Sequence, residues 1–107
     1  MVADEIIVLI TASSEDEAEK ISKALVDERL AACVNIVPKI RSLFFWNEMT
    51  QDEHETLLIA KSRHPLLEQL IARVKSLHSY TVPEILALPI IGGSGDYLAW
   101  LKETTKG

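Results

Sequence analysis

The most constraining feature of this sequence is that its strand-like segments are apolar at both parities. "IIVLI" (6–10), "LLIA" (57–60) and "ILALPII" (85–91) carry no alternation of apolar and polar residues. A strand with one face in water alternates, and a strand covered on both faces does not. Glu5–Thr11, Leu30–Val37 with its continuation past Pro38, Thr56–Ser62 and Ile85–Ile91 therefore read as strands of a sheet buried on both sides. Between them lie two helical patterns. Ser14 and Glu17 have capping-box spacing, followed by Ala18, Ile21 and Leu25. His64-Pro65 opens the second, with Leu67, Leu70, Ile71, Val74 and Leu77 as its stripe. "TQDEHE" (50–55) reads as a polar turn, "GGSG" (92–95) as another, and Ser94 or Asp96 caps a short final helix carrying Tyr97, Trp100 and Leu101. The last few residues are expected to fray.

The order is β-α-β-β-α-β plus a terminal helix, which is an α+β, ferredoxin-like arrangement with an antiparallel sheet. The expected strand order, 4-1-3-2, puts strands two and four at the edges. Proline donates no ladder hydrogen bond and belongs at edges or bulges. Pro38 and Pro89 fall in strands two and four. Two crossover helices cover one face of such a sheet, and the terminal helix is too short to cover the other. Burial against identical copies resolves the excess, on the order of 1,000 Å² per subunit. "LFFW" (43–46) either reaches a neighbour or folds back on its own core.

The 107 residues suffice for a single domain, 1–107, with one modest core. Net charge is −5 and the eleven Lys and Arg are scattered, so no basic stripe serves nucleic acid or an anionic membrane. No apolar run approaches the ~20 residues of a membrane span. The single cysteine, Cys33, excludes an internal disulfide and fits a reducing compartment. The opening Met-Val-Ala-Asp-Glu has no basic leader region. The expected location is cytoplasmic.

The chemically suggestive residues cluster around "HSYTVPEI" (78–85), a rigid elbow set by Pro83. His78, Tyr80 and Glu84 there could hold a cation or manage a proton, or else cap a helix and satisfy loop amides. The acids Glu15, Asp16, Glu17 and Glu19 suit a helix start. Cys33 is a small buried residue or a soft copper ligand. Asn35 and Lys61 tie down a loop or line a polar cleft. Trp46 packs or forms a cleft wall. His54 and His64 have surface or capping roles. No catalytic triad, phosphate loop or cofactor motif is present, so no enzyme activity is expected.

"ERLAACVN" (28–35), "SLFFW" (42–46), "HSYTVPEI" (78–85) and "DYLAWL" (96–101) together resemble the CutA divalent-cation tolerance proteins, over nearly the whole chain. The resemblance implies a ferredoxin-like subunit in a stable cytoplasmic homotrimer, associated with metal tolerance and with copper or other divalent ions. It implies that Cys33, Asn35, Trp46, Lys61, Tyr80 and Glu84 line a ligand cleft between subunits, with His78 as metal ligand. The chain departs from the family at Ser79 (usually proline) and Glu48 (usually glycine), and Ile10 and Leu77 replace the cysteine and second histidine of some members. Other readings are a small-molecule-sensing trimer similar to the PII regulators, and an enzyme using Glu84 with His78 or Tyr80.

Overall fold

The computed structural model describes residues 4–107; the reading of the N-terminal leader falls partly outside them. Strands β1 (Glu5–Ala12), β2 (Cys33–Trp46), β3 (Met49–Arg63) and β4 (Ile85–Pro89) form one antiparallel sheet in the order β2-β3-β1-β4. Helices α1 (Glu15–Asp27) and α2 (Leu67–Leu77) cross over one face, and α3 (Gly95–Thr104) ends the chain. Pro38 and Pro89 both lie on edge strands, as proline chemistry requires.

Local chemistry sets the helices. The Ser14 hydroxyl accepts the Glu17 amide at 3.1 Å, and the Glu17 carboxylate returns to the Ser13 amide at 3.0 Å, one residue earlier than in an ordinary capping box. At the other end Leu30 donates to the Leu25 carbonyl and Arg29 to that of Val26, a Schellman ending with Arg29 left-handed at φ 59°. A 3-10 turn, His64–Leu66, carries Pro65 into α2. Ala18, Ile21 and Leu25 from α1, and Leu70 and Val74 from α2, close over Ile6, Val8, Ile10, Leu58 and Ala60 of the sheet.

The opposite sheet face carries Ile7, Leu9, Leu57 and Ile59, all half-buried. Helix α3 covers part of it and buries Leu101 completely. Both faces of the central strands are thus apolar, and one chain fully covers only one of them.

The hairpin corrects the expected turn at 50–55. Those residues belong to β3, where Thr50 pairs with Phe45 and Glu55 with Ile40. The reversal is made by Asn47 and Glu48 alone, at φ 51° and 59°. Two left-handed residues match the twist of the flanking strands and close the hairpin in the fewest steps. The polar run 50–55 lies on a ribbon projecting beyond the helices, so its polarity reflects solvent and not a turn. A bulge between Val37 and Ile40, with Lys39 at φ 57°, re-aims this ribbon. The chain extends 45 × 25 × 22 Å, with a radius of gyration of 14.4 Å against about 13 Å for a compact domain of this length.

The expected fraying of the terminus is also corrected. Arg63, only 7% exposed, donates to the Thr105 hydroxyl at 2.8 Å and the Lys106 carbonyl at 2.7 Å. Arg29 donates to the Thr104 carbonyl at 2.8 Å, and the Lys106 amide donates back to the Arg29 carbonyl. These bonds hold the tail through Lys106. Strand two begins at Cys33 and not Leu30, because the Ala31 amide donates back to the Leu25 carbonyl at the end of α1.

Candidate functional site

The elbow between α2 and β4 is built on His78. Its side chain is 0% exposed. Nε2 lies 2.7 Å from the Thr11 carbonyl, which only accepts, and Nδ1 lies 3.0 Å from the Tyr80 amide, which only donates. The two partners dictate one tautomer, with the proton on Nε2. Both nitrogens are therefore committed, and neither lone pair is open to a metal. Within this chain the ring is the pin of the elbow. Among the described residues, no group of three or more His, Cys, Asp or Glu stands close enough to hold a metal ion.

Glu17 ties the same elbow to α1. One carboxylate oxygen caps the helix start through Ser13, and the other accepts the Ser79 amide at 2.9 Å. Partial burial works to raise the Glu17 carboxyl, but the hydrogen bonds from Ser13 and Ser79 outweigh it and hold the group below the usual carboxylate value. The Tyr80 ring tilts 45° against His78 at 4.6 Å, and its hydroxyl donates to Glu55 Oε2 at 2.8 Å. Burial, the bond to Glu55 and the nearby charges of Glu55, Glu17 and Glu53 push the phenol's pKa upward.

Beyond Tyr80 an open groove of about 1090 Å³ runs between the elbow and the projecting hairpin. Trp46, Glu53, Glu55, Tyr80 and Glu84 all line it. Sequence reasoning missed Glu17 and Glu55 as site residues. Glu17 carried only a capping signal. Glu55 carried none, since its burial comes from pairing with Ile40 and from Tyr80, which lies 25 residues away.

The remaining expected cleft residues lie elsewhere. Cys33 pairs with Lys61 across β2 and β3. The Lys61 ammonium donates to the Asn35 side-chain carbonyl. The Cys33 sulfur lies 3.6 Å from the Tyr97 hydroxyl of α3. That hydrogen bond, with burial, raises the Tyr97 pKa. Lys61 and Glu55 are six residues apart on β3, roughly 20 Å along an extended strand. One chain thus holds the expected set in two places: Trp46, Tyr80 and Glu84 at the groove, and Cys33, Asn35 and Lys61 at the paired end of β2 and β3, where Cys33 meets Tyr97 of α3. His54 and His64 are exposed, in keeping with surface roles. Phe44 and Phe45 do not fold back into the core; Phe45 is 74% exposed.

Comparison with known proteins agrees with this architecture. The family model described as CutA1 divalent ion tolerance protein matches residues 6–104. The divalent-cation tolerance protein CutA of Thermus thermophilus is 52% identical over 99 residues, covering 92% of this chain and 96% of that protein. Its solved structure superposes with a TM-score of 0.93, over 95% of this chain and 99% of the other. CutA1 from Oryza sativa superposes at 0.95 with 43% identity, over 98% and 96% of the two chains. The chloroplastic CutA of Arabidopsis thaliana is 48% identical over 94% of this chain, which spans 56% of that longer protein.

These relatives overturn the cytoplasmic expectation. The Archaeoglobus fulgidus protein, 41% identical with a TM-score of 0.92 over 95% of this chain and 99% of that one, is described as periplasmic, and the Arabidopsis protein as chloroplastic. The fold serves proteins described for more than one compartment, so it does not assign one. Among the described residues no helix is long and apolar enough to cross a membrane. On a family match spanning nearly all of its length, the chain belongs to the CutA1 divalent ion tolerance protein family.

Proposed function

We propose that this chain acts in the divalent-metal tolerance response as a homotrimer that binds a metal ion, copper foremost, or a small ligand at clefts between subunits. The observation that carries this reading is the apolar surface left open on one copy. Phe45 and Met49 on the hairpin, and Leu86 and Leu88 on edge strand β4, are all largely exposed. Open apolar surface of this kind marks an interaction site. Neighbouring copies would cover it, and would bring the Cys33 cluster of one chain towards the groove of another.

Within such a cleft Cys33 is the soft donor suited to copper. His78 would first have to release the Tyr80 amide, so we assign the metal to the Cys33 side. A sensing role similar to the PII regulators keeps the same trimer with an organic ligand in place of the ion. The reading includes no catalytic step: His78 hydrogen bonds through both ring nitrogens, and the Tyr80 hydroxyl donates to Glu55.

Light scattering at micromolar dilution tests the assembly; a trimer is expected, and a lone protomer overturns it. Calorimetric titration with Cu(II), and with Cu(I) under reducing conditions, tests the metal. Cys33→Ser should weaken binding and His78→Gln should leave it unchanged. The opposite ranking overturns the assignment to Cys33.

A further inference from the structure

We propose that His78 is a proton switch for the elbow: on gaining a proton its ring drops the Tyr80 amide, turns to Glu17 and lets residues 79–83 move. The device lies within one chain and depends on neither the metal nor the trimer reading.

The first observation is how the elbow is held. Among the described residues, none of residues 79–83 makes a backbone-to-backbone hydrogen bond. Two of its amides use side chains instead: Ser79 donates to Glu17 Oε2 at 2.9 Å, and Tyr80 donates to His78 Nδ1 at 3.0 Å. The path of this segment is therefore set by two titratable acceptors, where a helix or a ladder would use carbonyls.

The second observation is the ring itself. Its Nε2 donates to the Thr11 carbonyl, so the neutral ring has Nδ1 as its only acceptor. A proton added to Nδ1 would face the Tyr80 N–H donor to donor, and that amide would lose its partner. Glu17 Oε1 lies 3.6 Å from Nδ1, close enough to receive the new N–H after a small rotation of the ring. Hydrogen bonds hold the Glu17 carboxyl below its ordinary value of 4.5, so it is a carboxylate in the range near neutral pH where imidazoles change charge.

The third observation is what faces the ring. Strand β1 supplies the Thr11 carbonyl, and α1 supplies Glu17. The elbow supplies the Tyr80 ring at 4.6 Å, with Glu55 of β3 behind it on the hydroxyl. The charged groups of this set are acids, and Glu17 pairs with no lysine or arginine among the described residues. His78 is the cation this carboxylate can acquire. Ser79, Tyr80, Thr81 and Val82 line the groove, so moving them reshapes its wall.

The test is an NMR pH titration of the intact 15N-labelled chain carrying His54→Gln and His64→Gln, both at exposed positions, so that His78 is its one imidazole. The Tyr80 amide is expected to shift and to exchange faster with the same midpoint as the His78 ring, while the Val8 and Leu58 amides of the sheet hold. Glu17→Gln should move that midpoint to lower pH, because the receiving carboxylate is gone. His78→Gln should remove the transition at the Tyr80 amide, since glutamine takes up no proton. The first two readouts leave His78 in place and decide the matter even where that last variant does not fold. A Tyr80 amide that stays put while the ring titrates overturns the inference. So does a ring that titrates only as the sheet unfolds, or a midpoint that Glu17→Gln leaves in place or raises.

Discussion

The Tyr80 hydroxyl donates to Glu55 Oε2 at 2.8 Å, joining the elbow that follows α2 to the base of the projecting hairpin. The two residues are 25 positions apart, and Glu55 is buried. Tyr80→Phe removes the only hydrogen-bond donor to this carboxylate among the described residues, and should cost about 1–3 kcal/mol. Glu55→Gln in the same background should recover part of the loss. Urea denaturation of the single and double variants measures the coupling, and strictly additive losses would show that the bond carries no stability.

Both tyrosines sit in surroundings that raise their pKa, Tyr80 through burial and Glu55, and Tyr97 through Cys33 and burial. Above the ordinary value of 10.0 the unfolded chain loses these protons while the native one keeps them. Stability should therefore be full below pH ~10 and fall as pH rises above it. A tyrosinate absorbance titration of the folded protein should show no transition at the ordinary value, with the full change appearing on unfolding.

Glu17 has the opposite sign. Its carboxyl is held below the ordinary value of 4.5, so its contribution is present above that value and is lost as pH falls through the lower native one. Glu17→Gln should flatten this part of the acid limb of the stability profile. It should also speed hydrogen exchange at the Ser13 and Ser79 amides, which lose a carboxylate acceptor.

Glu48 occupies the second left-handed position of the hairpin turn at φ 59°. A side chain there is strained where glycine is not. Glu48→Gly should stabilise the chain by about 1 kcal/mol, less whatever glycine loses in unfolded-state entropy. Thermal denaturation should show a higher Tm, and a lower Tm would mean that the Glu48 side chain makes a stabilising contact that outweighs the backbone strain.

Arg63 holds the tail through Thr105 and Lys106, and Asp4 Oδ2 lies 3.7 Å from its guanidinium. Arg63→Ala should cost about 2–3 kcal/mol, because a buried charged donor with two hydrogen bonds to the tail is lost. Exchange at the Lys106 amide should accelerate before the sheet amides, as α3 loosens from its end.

Much of the fold was legible from local pattern alone. The start of α1 is written in Ser14 and Glu17, the two edge strands in Pro38 and Pro89, and the need for cover on both sheet faces in "IIVLI" and "LLIA". These signals act over a few residues, through backbone geometry and side-chain period, so they survive without knowledge of the fold. The hairpin turn was not legible, because a polar run on a solvated ribbon looks like a turn and Asn47-Glu48 lacks the glycine that would mark one. The burial of Glu55, the pinned ring of His78 and the separation of Cys33, Asn35 and Lys61 from Tyr80 and Glu84 were decided by tertiary structure. Each depends on which distant segment supplies a partner, across separations of 25 residues for Tyr80 and Glu55 and 67 for His78 and Thr11. A donor's fate is set by what the folded chain brings within 3 Å of it, and residue order records only the type of group on offer.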